Sequence, residues 1–262
     1  MGAAFAAPAQ AAEVVSSNIV GYSKLQIREG LTMVGVQFKE VGSTDSDVAV
    51  STFGTLSSEL RGYQDDNYNF LNMMQVWNGA RYVDYGWAGT GPSTGDGDEY
   101  AYQDNTWMNY NTAEDTDDVH SVGGAFWIRA ENAGTITTSG EVPSEATITI
   151  NLRAGLNMVA NPYPVEVPVK NFGVLSSNLR GYQDDNYNFI NMMQYWNGAR
   201  YVDYGWAGTG PSTVDGDEYA YQDNTWMNYN TAEDTDDVIP IGGAVWIRAE
   251  AAGTITFTNP IQ

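Results

Sequence analysis

The chain contains no cysteine, which excludes disulfide staples, zinc–thiolate sites and a thiol nucleophile. It contains one histidine, His120, and that residue falls opposite Ile239 in the internal repeat described below. Ser-His-Asp chemistry or a histidine-rich metal site would therefore not be shared by both copies. Lys and Arg number 11 against 33 Asp and Glu, for a net charge of −22. Such a balance repels phosphate backbones and anionic membranes, so nucleic acid is not an expected partner. No apolar run approaches the roughly 20 residues of a membrane-spanning helix, so no membrane span is expected.

What is present is aromatic and apolar. Eight Trp, 17 Tyr and 8 Phe within a 42% hydrophobic composition supply enough burial for packed cores, despite the charge. The Ala-rich stretch over residues 1–12, with Ala9-Gln10-Ala11 as a small-x-small site, reads as the remnant of a secretory signal, although a positive n-region is missing. An exported, secreted or cell-surface protein is the expectation.

Residues 57–118 repeat as 176–237 at an offset of 119, and only four positions differ: Glu59/Asn178, Leu71/Ile190, Val76/Tyr195 and Gly95/Val214. Such identity marks an internal duplication. The likeness continues from Gly123 and Gly242 to Thr137 and Thr256. Upstream, Leu25–Val34 aligns only loosely with Ile150–Val159 at an offset of 125, so six residues separate the copies somewhere between. Charge follows the same division. The first block carries 12 acids and 2 Arg (12 − 2, net −10) and the second 11 acids and 2 Arg (11 − 2, net −9), which together make −19 of the −22.

Alternation in Thr147-Ile148-Thr149-Ile150-Asn151-Leu152 predicts a half-buried strand, as it does in Ala244–Arg248 and Gly253–Phe257. Asn78-Gly79, repeated as Asn197-Gly198, predicts a type I′ hairpin turn. A weaker hairpin is expected across Asp104-Asn105. No window carries sustained helical periodicity with caps. Short strands between Gly, Asn and Asp turns predict an all-β chain of two tandem β-sandwich or β-barrel-like domains, over residues 18–141 and 142–262.

Asn18-Ile19-Val20-Gly21-Tyr22, the Trp-Asn-Gly hairpins, the Gly-Gly-x-x-Trp-Ile strands and the closing Gly-Thr-Ile-Thr together resemble the tandem β modules of secreted bacterial surface proteins. The resemblance covers most of both halves and implies fold and export. It brings no catalytic residues. The long acidic insert between hairpin and last strand departs from the family's short linker.

Two constellations suggest ligands. Asp96, Asp98 and Glu99 with Asp115, Asp117 and Asp118, repeated as Asp215, Asp217 and Glu218 with Asp234, Asp236 and Asp237, offer clustered carboxylates on Gly-containing loops, as calcium requires. A solvated acidic loop has the same composition, and the spacing is not that of an EF-hand. Tyr63, Trp87 and Trp107, repeated as Tyr182, Trp206 and Trp226, lie among Asp, Asn and Gln and would suit stacking on a neutral glycan. The same aromatics would equally fill a core. Gly89-Thr90-Gly91-Pro92-Ser93-Thr94 lacks the Lys of a phosphate loop and reads as a turn. The expected function is a non-enzymatic structural or adhesive protein self-associating through edge strands, or else a bivalent carbohydrate-binding protein.

Overall fold

A computed structural model describes residues 19–44, 46–60, 69–89, 105–179, 188–208 and 224–261. It is all-β, and its sheets are antiparallel. The first half runs β1 (Val20–Ile27), β2 (Gly30–Gly35), β3 (Asp47–Ala49), β4 (Thr55–Leu56), β5 (Met73–Trp77), β6 (Tyr82–Ala88), β7 (Thr106–Asn109), β8 (Val119–Ser121), β9 (Ala125–Ala130) and β10 (Gly134–Glu141). The second repeats the order as β11 (Thr147–Leu152), β12 (Gly155–Ala160), β13 (Val167–Pro168), β14 (Val174–Leu175), β15 (Met192–Trp196), β16 (Tyr201–Ala207), β17 (Thr225–Asn228), β18 (Val238–Ile239), β19 (Ala244–Ala249) and β20 (Gly253–Thr258).

Each half builds a five-stranded sheet, a three-stranded sheet and a two-stranded ladder, in orders β2-β9-β5-β6-β7, β1-β10-β4 and β3-β8, and equivalently in the second half. Registers match between halves: Leu25 faces Ile136 as Ile150 faces Ile255, and Met33 faces Trp127 as Met158 faces Trp246. Alternation explains the layers, because period-2 side chains put one set inward. Leu25, Ile27, Leu56 and Ile136 from the smaller sheet meet Val34, Met74, Trp87, Phe126 and Ile128 from the larger one in a single core. Leu152, Leu175 and Ile255 meet Val159, Met193, Trp206 and Ile247 in the other half. Each half is thus a two-layer sandwich with its own core.

The loosely aligned region now has a location. Between β2 and β3 lie residues 36–46, eleven in number, whereas between β12 and β13 lie residues 161–166, from which the strand-equivalent Glu166 leaves five. The additional six belong to the first half's loop. That loop secures the connection between halves: Lys39 and Glu141 exchange backbone hydrogen bonds at 3.0 and 2.9 Å, the Lys39 ammonium pairs with Glu145, and Gln37 Nε2 donates to the Tyr163 carbonyl at 3.0 Å.

The Asn-Gly hairpins are where expected but are not two-residue type I′ turns. Trp77 pairs with Tyr82, so the loop spans four residues, and only Gly79 has positive φ (97°). Asn78 instead uses its side chain, whose Oδ1 accepts from the amides of Ala80 and Arg81 at 3.0 Å. That local turn satisfies the loop amides and removes the need for a left-handed Asn. Asn197 does the same with Ala199 and Arg200.

The outer faces of the larger sheets are not free. Met33, Ala125 and Trp127 of one half pack against Ala160, Ala244 and Trp246 of the other, with Trp77, Met158 and Trp196 around them. Contacts are reciprocal. Trp77 lies 6.0 Å from Trp246 and Trp127 6.5 Å from Trp196. Gly35 donates to the Gly242 carbonyl at 2.9 Å and Ala160 to that of Gly123 at 2.8 Å. The halves therefore meet as a self-complementary pair related by an approximate two-fold.

Candidate functional site

The four tryptophans expected to form a stacking platform are interior. Trp87, Trp107, Trp206 and Trp226 are each no more than 2% exposed. Trp87 and Trp107 face each other across β6 and β7 with ring centroids 5.1 Å apart, and Trp206 and Trp226 repeat this. The Trp107 indole donates to the Phe53 carbonyl at 2.9 Å and that of Trp226 to Phe172 at 2.8 Å. A ring closed on both faces by protein has none left for a sugar, so these residues serve the core. Tyr63 and Tyr182 lie outside the described residues. The half-exposed aromatic pairs are Trp77 with Tyr82 and Trp196 with Tyr201, at 5.3 and 5.1 Å beside the hairpins.

Of the acidic residues, Asp96, Asp98, Glu99, Asp215, Asp217 and Glu218 lie outside the described residues. The rest form the turn and extended segment that lead from β7 to β8 and from β17 to β18. Asn109 donates its amide to the Glu114 carbonyl and Ala113 closes the turn at φ 51°. Asp115, Asp117, Asp234 and Asp236 are exposed. Asp118 is committed elsewhere: its Oδ2 accepts from the Tyr85 hydroxyl at 2.6 Å and from Thr116 Oγ1 at 2.9 Å. Asp237 likewise accepts from Tyr204 at 2.7 Å. Burial, then the neighbouring carboxylate, pushes both phenols well above the usual tyrosine range. Among the described residues, no three His, Asp or Glu side chains converge closely enough to hold a metal ion.

These Tyr–Asp bonds escaped the sequence reading, which grouped Asp118 and Asp237 with the loop acids. Their signal was an apolar tyrosine on alternate positions of β6 and β16 facing an acid at the end of each insert. They pin the last residue of the insert to the sandwich, since the Asp118 and Asp237 carbonyls also accept from Val50 and Val169. His120 sits in the β3-β8 ladder, stacked on Phe126 at 5.1 Å, with Nε2 buried and unpartnered. Burial lowers its pKa to about 4. Its counterpart Ile239 is buried in the equivalent ladder.

A third surface is a strand edge. In the order β1-β10-β4, β1 has one hydrogen-bonded neighbour among the described residues. Ile19 just before it and Val20 and Tyr22 on it are 64, 60 and 78% exposed. At the 125-residue offset their counterparts are Ser144, Glu145 and Thr147, so the apolar edge belongs to the first half alone.

Fold and surface together define an all-β protein of two like sandwiches packed face to face. No protein-family model matches the chain, and neither a curated protein nor a solved structure matches it.

Proposed function

We propose that this chain is an exported, non-enzymatic structural or adhesive component of a cell surface or extracellular assembly, with calcium bound by its acidic inserts. The observation that carries the reading is the exposed apolar edge of β1. Among the described residues no strand pairs with the outer edge of β1, and its backbone groups, flanked by Ile19, Val20 and Tyr22, are a template for a strand from another chain. The second half presents Glu145 and Thr147 there instead, so each chain offers one such edge: pairing with its own copy would close a dimer, and pairing with a different edge would propagate head-to-tail, as the assembly reading requires. The leader-like N-terminus supports export.

The acidic inserts supply the cation dependence in this reading. Like charges packed at this density repel unless a cation or high salt intervenes, and their ends are anchored to the sandwich by Tyr85 and Tyr204. The test is electron microscopy with sedimentation velocity, in calcium and then in chelator. Polymers that disperse on chelation support the proposal; a monomer indifferent to calcium at every concentration refutes it. The glycan reading loses Trp87, Trp107, Trp206 and Trp226 to the core.

A further inference from the structure

The approximate two-fold creates two related grooves beside the buried seam between halves. In each, an arginine of one half donates to the hairpin of the other: Arg28 Nη1 to the Asn197 carbonyl at 2.8 Å, and Arg153 Nη1 to that of Asn78. In each, an aliphatic side chain lies over the facing Gly-Gly turn, Leu25 at Gly242 and Ile150 at Gly123. The frames are the same. Their indoles are not.

On one side Trp77 Nε1 donates to the Leu156 carbonyl at 3.1 Å. On the other, Trp196 Nε1 is buried and has no partner among the described residues. Tyr195, the preceding residue on β15, lines the same cavity from the strand's other face; it replaces Val76 and is one of only four differences in the 62-residue repeat. Here the structure holds a cavity of about 420 Å³, lined by Lys24, Arg28 and Leu31 from the first half and by Tyr195, Trp196 and Ile241 from the second. Glu166 is the one carboxylate on its described lining.

A buried N–H without a partner is unfavourable, and an acceptor from outside would offset that loss. Lys24 and Arg28 share the lining with Trp196, in a chain with three acids for every base. Gln26 and Thr32 add neutral polar groups, and the rest of the wall is largely aliphatic and aromatic. The volume lies within the roughly 300–1,000 Å³ of small-molecule sites. We infer that this groove binds one small organic carboxylate per chain, the carboxylate accepting from Trp196 Nε1 and Arg28 and the apolar body lying against Tyr195 and Leu31. In the related groove the Trp77 indole is already satisfied by the Leu156 carbonyl, and that groove takes none. The inference does not depend on assembly.

The test titrates the full chain with 2-naphthoate by calorimetry, against 2-naphthalenemethanol as the neutral analogue. Expected are one site per chain, at least about tenfold weaker binding of the alcohol, and at least about tenfold weaker binding of the acid to Arg28→Gln, with Arg153→Gln unchanged. Tyr195→Val, which copies the residue of the related groove, should also weaken binding. If Arg28→Gln fails to fold, Lys24→Gln at an exposed position carries the charge test. No saturable binding, two equal sites, equal affinity for the alcohol, or indifference to both the charge and the Tyr195 substitutions would each overturn the inference.

Discussion

Replacing His120 by isoleucine, the residue its own counterpart uses, should stabilise the protein, and increasingly so in acid. The imidazole stacks on Phe126, its Nε2 is enclosed without a partner, and burial brings its pKa from 6.5 to about 4. The acids on and beside this ladder are otherwise engaged, Asp47 with Ser121, Asp118 with Tyr85 and Glu40 with the Ala49 amide. Between those two pKa values the unfolded chain binds a proton that the folded chain refuses. Stability from this position is therefore fully present above pH 6.5 and lost as pH falls towards 4. At 1.36 kcal/mol per pH unit the loss is about 2–3 kcal/mol by about pH 4.5 and about 3 kcal/mol in full. Isoleucine also removes an unpaired nitrogen, which gives about 1–2 kcal/mol at neutral pH. Urea denaturation of both proteins at about pH 7.5 and about pH 4.5, compared at equal slope, isolates His120 because the acids common to both cancel. A variant advantage that stays constant or shrinks towards acid would refute the reasoning.

Other substitutions follow from the packing. Tyr85→Phe and Tyr204→Phe each delete a hydrogen bond to a carboxylate and should cost about 1.5–3 kcal/mol in urea unfolding. In the native protein, ultraviolet titration should leave these two phenols protonated beyond the range where exposed tyrosines ionise. Trp87→Ala and Trp206→Ala should each cost about 3–5 kcal/mol, because each empties half of a buried indole pair, and calorimetry would show the lowered transition. Trp127→Ala at the seam should loosen the halves, seen as separate unfolding transitions or faster proteolysis of the 142–146 connection.

The strands were legible because their alternation is clean. Thr147–Leu152 sends Ile148, Ile150 and Leu152 to one face, and the fold uses that face. Alternation does not say which face is inside, however, and aromatic residues beside Asp and Asn read equally as a platform or a core. Trp87 and Trp107 were ambiguous for that reason. The seam had a signal that was available: Ala125-Phe126-Trp127-Ile128 is a continuous apolar run, the mark of a strand buried on both faces. Turn type was beyond reach, because Asn78 satisfies the loop with either its backbone or its side chain. The groove at Trp196 was beyond reach too, since Tyr195 and Arg28 lie 167 positions apart (195 − 28) and meet only through the two-fold packing.

The most direct measurement on the central claim is sedimentation velocity, in calcium, of the native chain beside a variant carrying Val20→Lys and Tyr22→Lys on the exposed edge of β1. Charge there removes the apolar strand template without touching either core. The account predicts concentration-dependent assembly of the native chain and a monomeric, normally folded variant. Equal assembly of both, or a native chain that stays monomeric throughout, would contradict it.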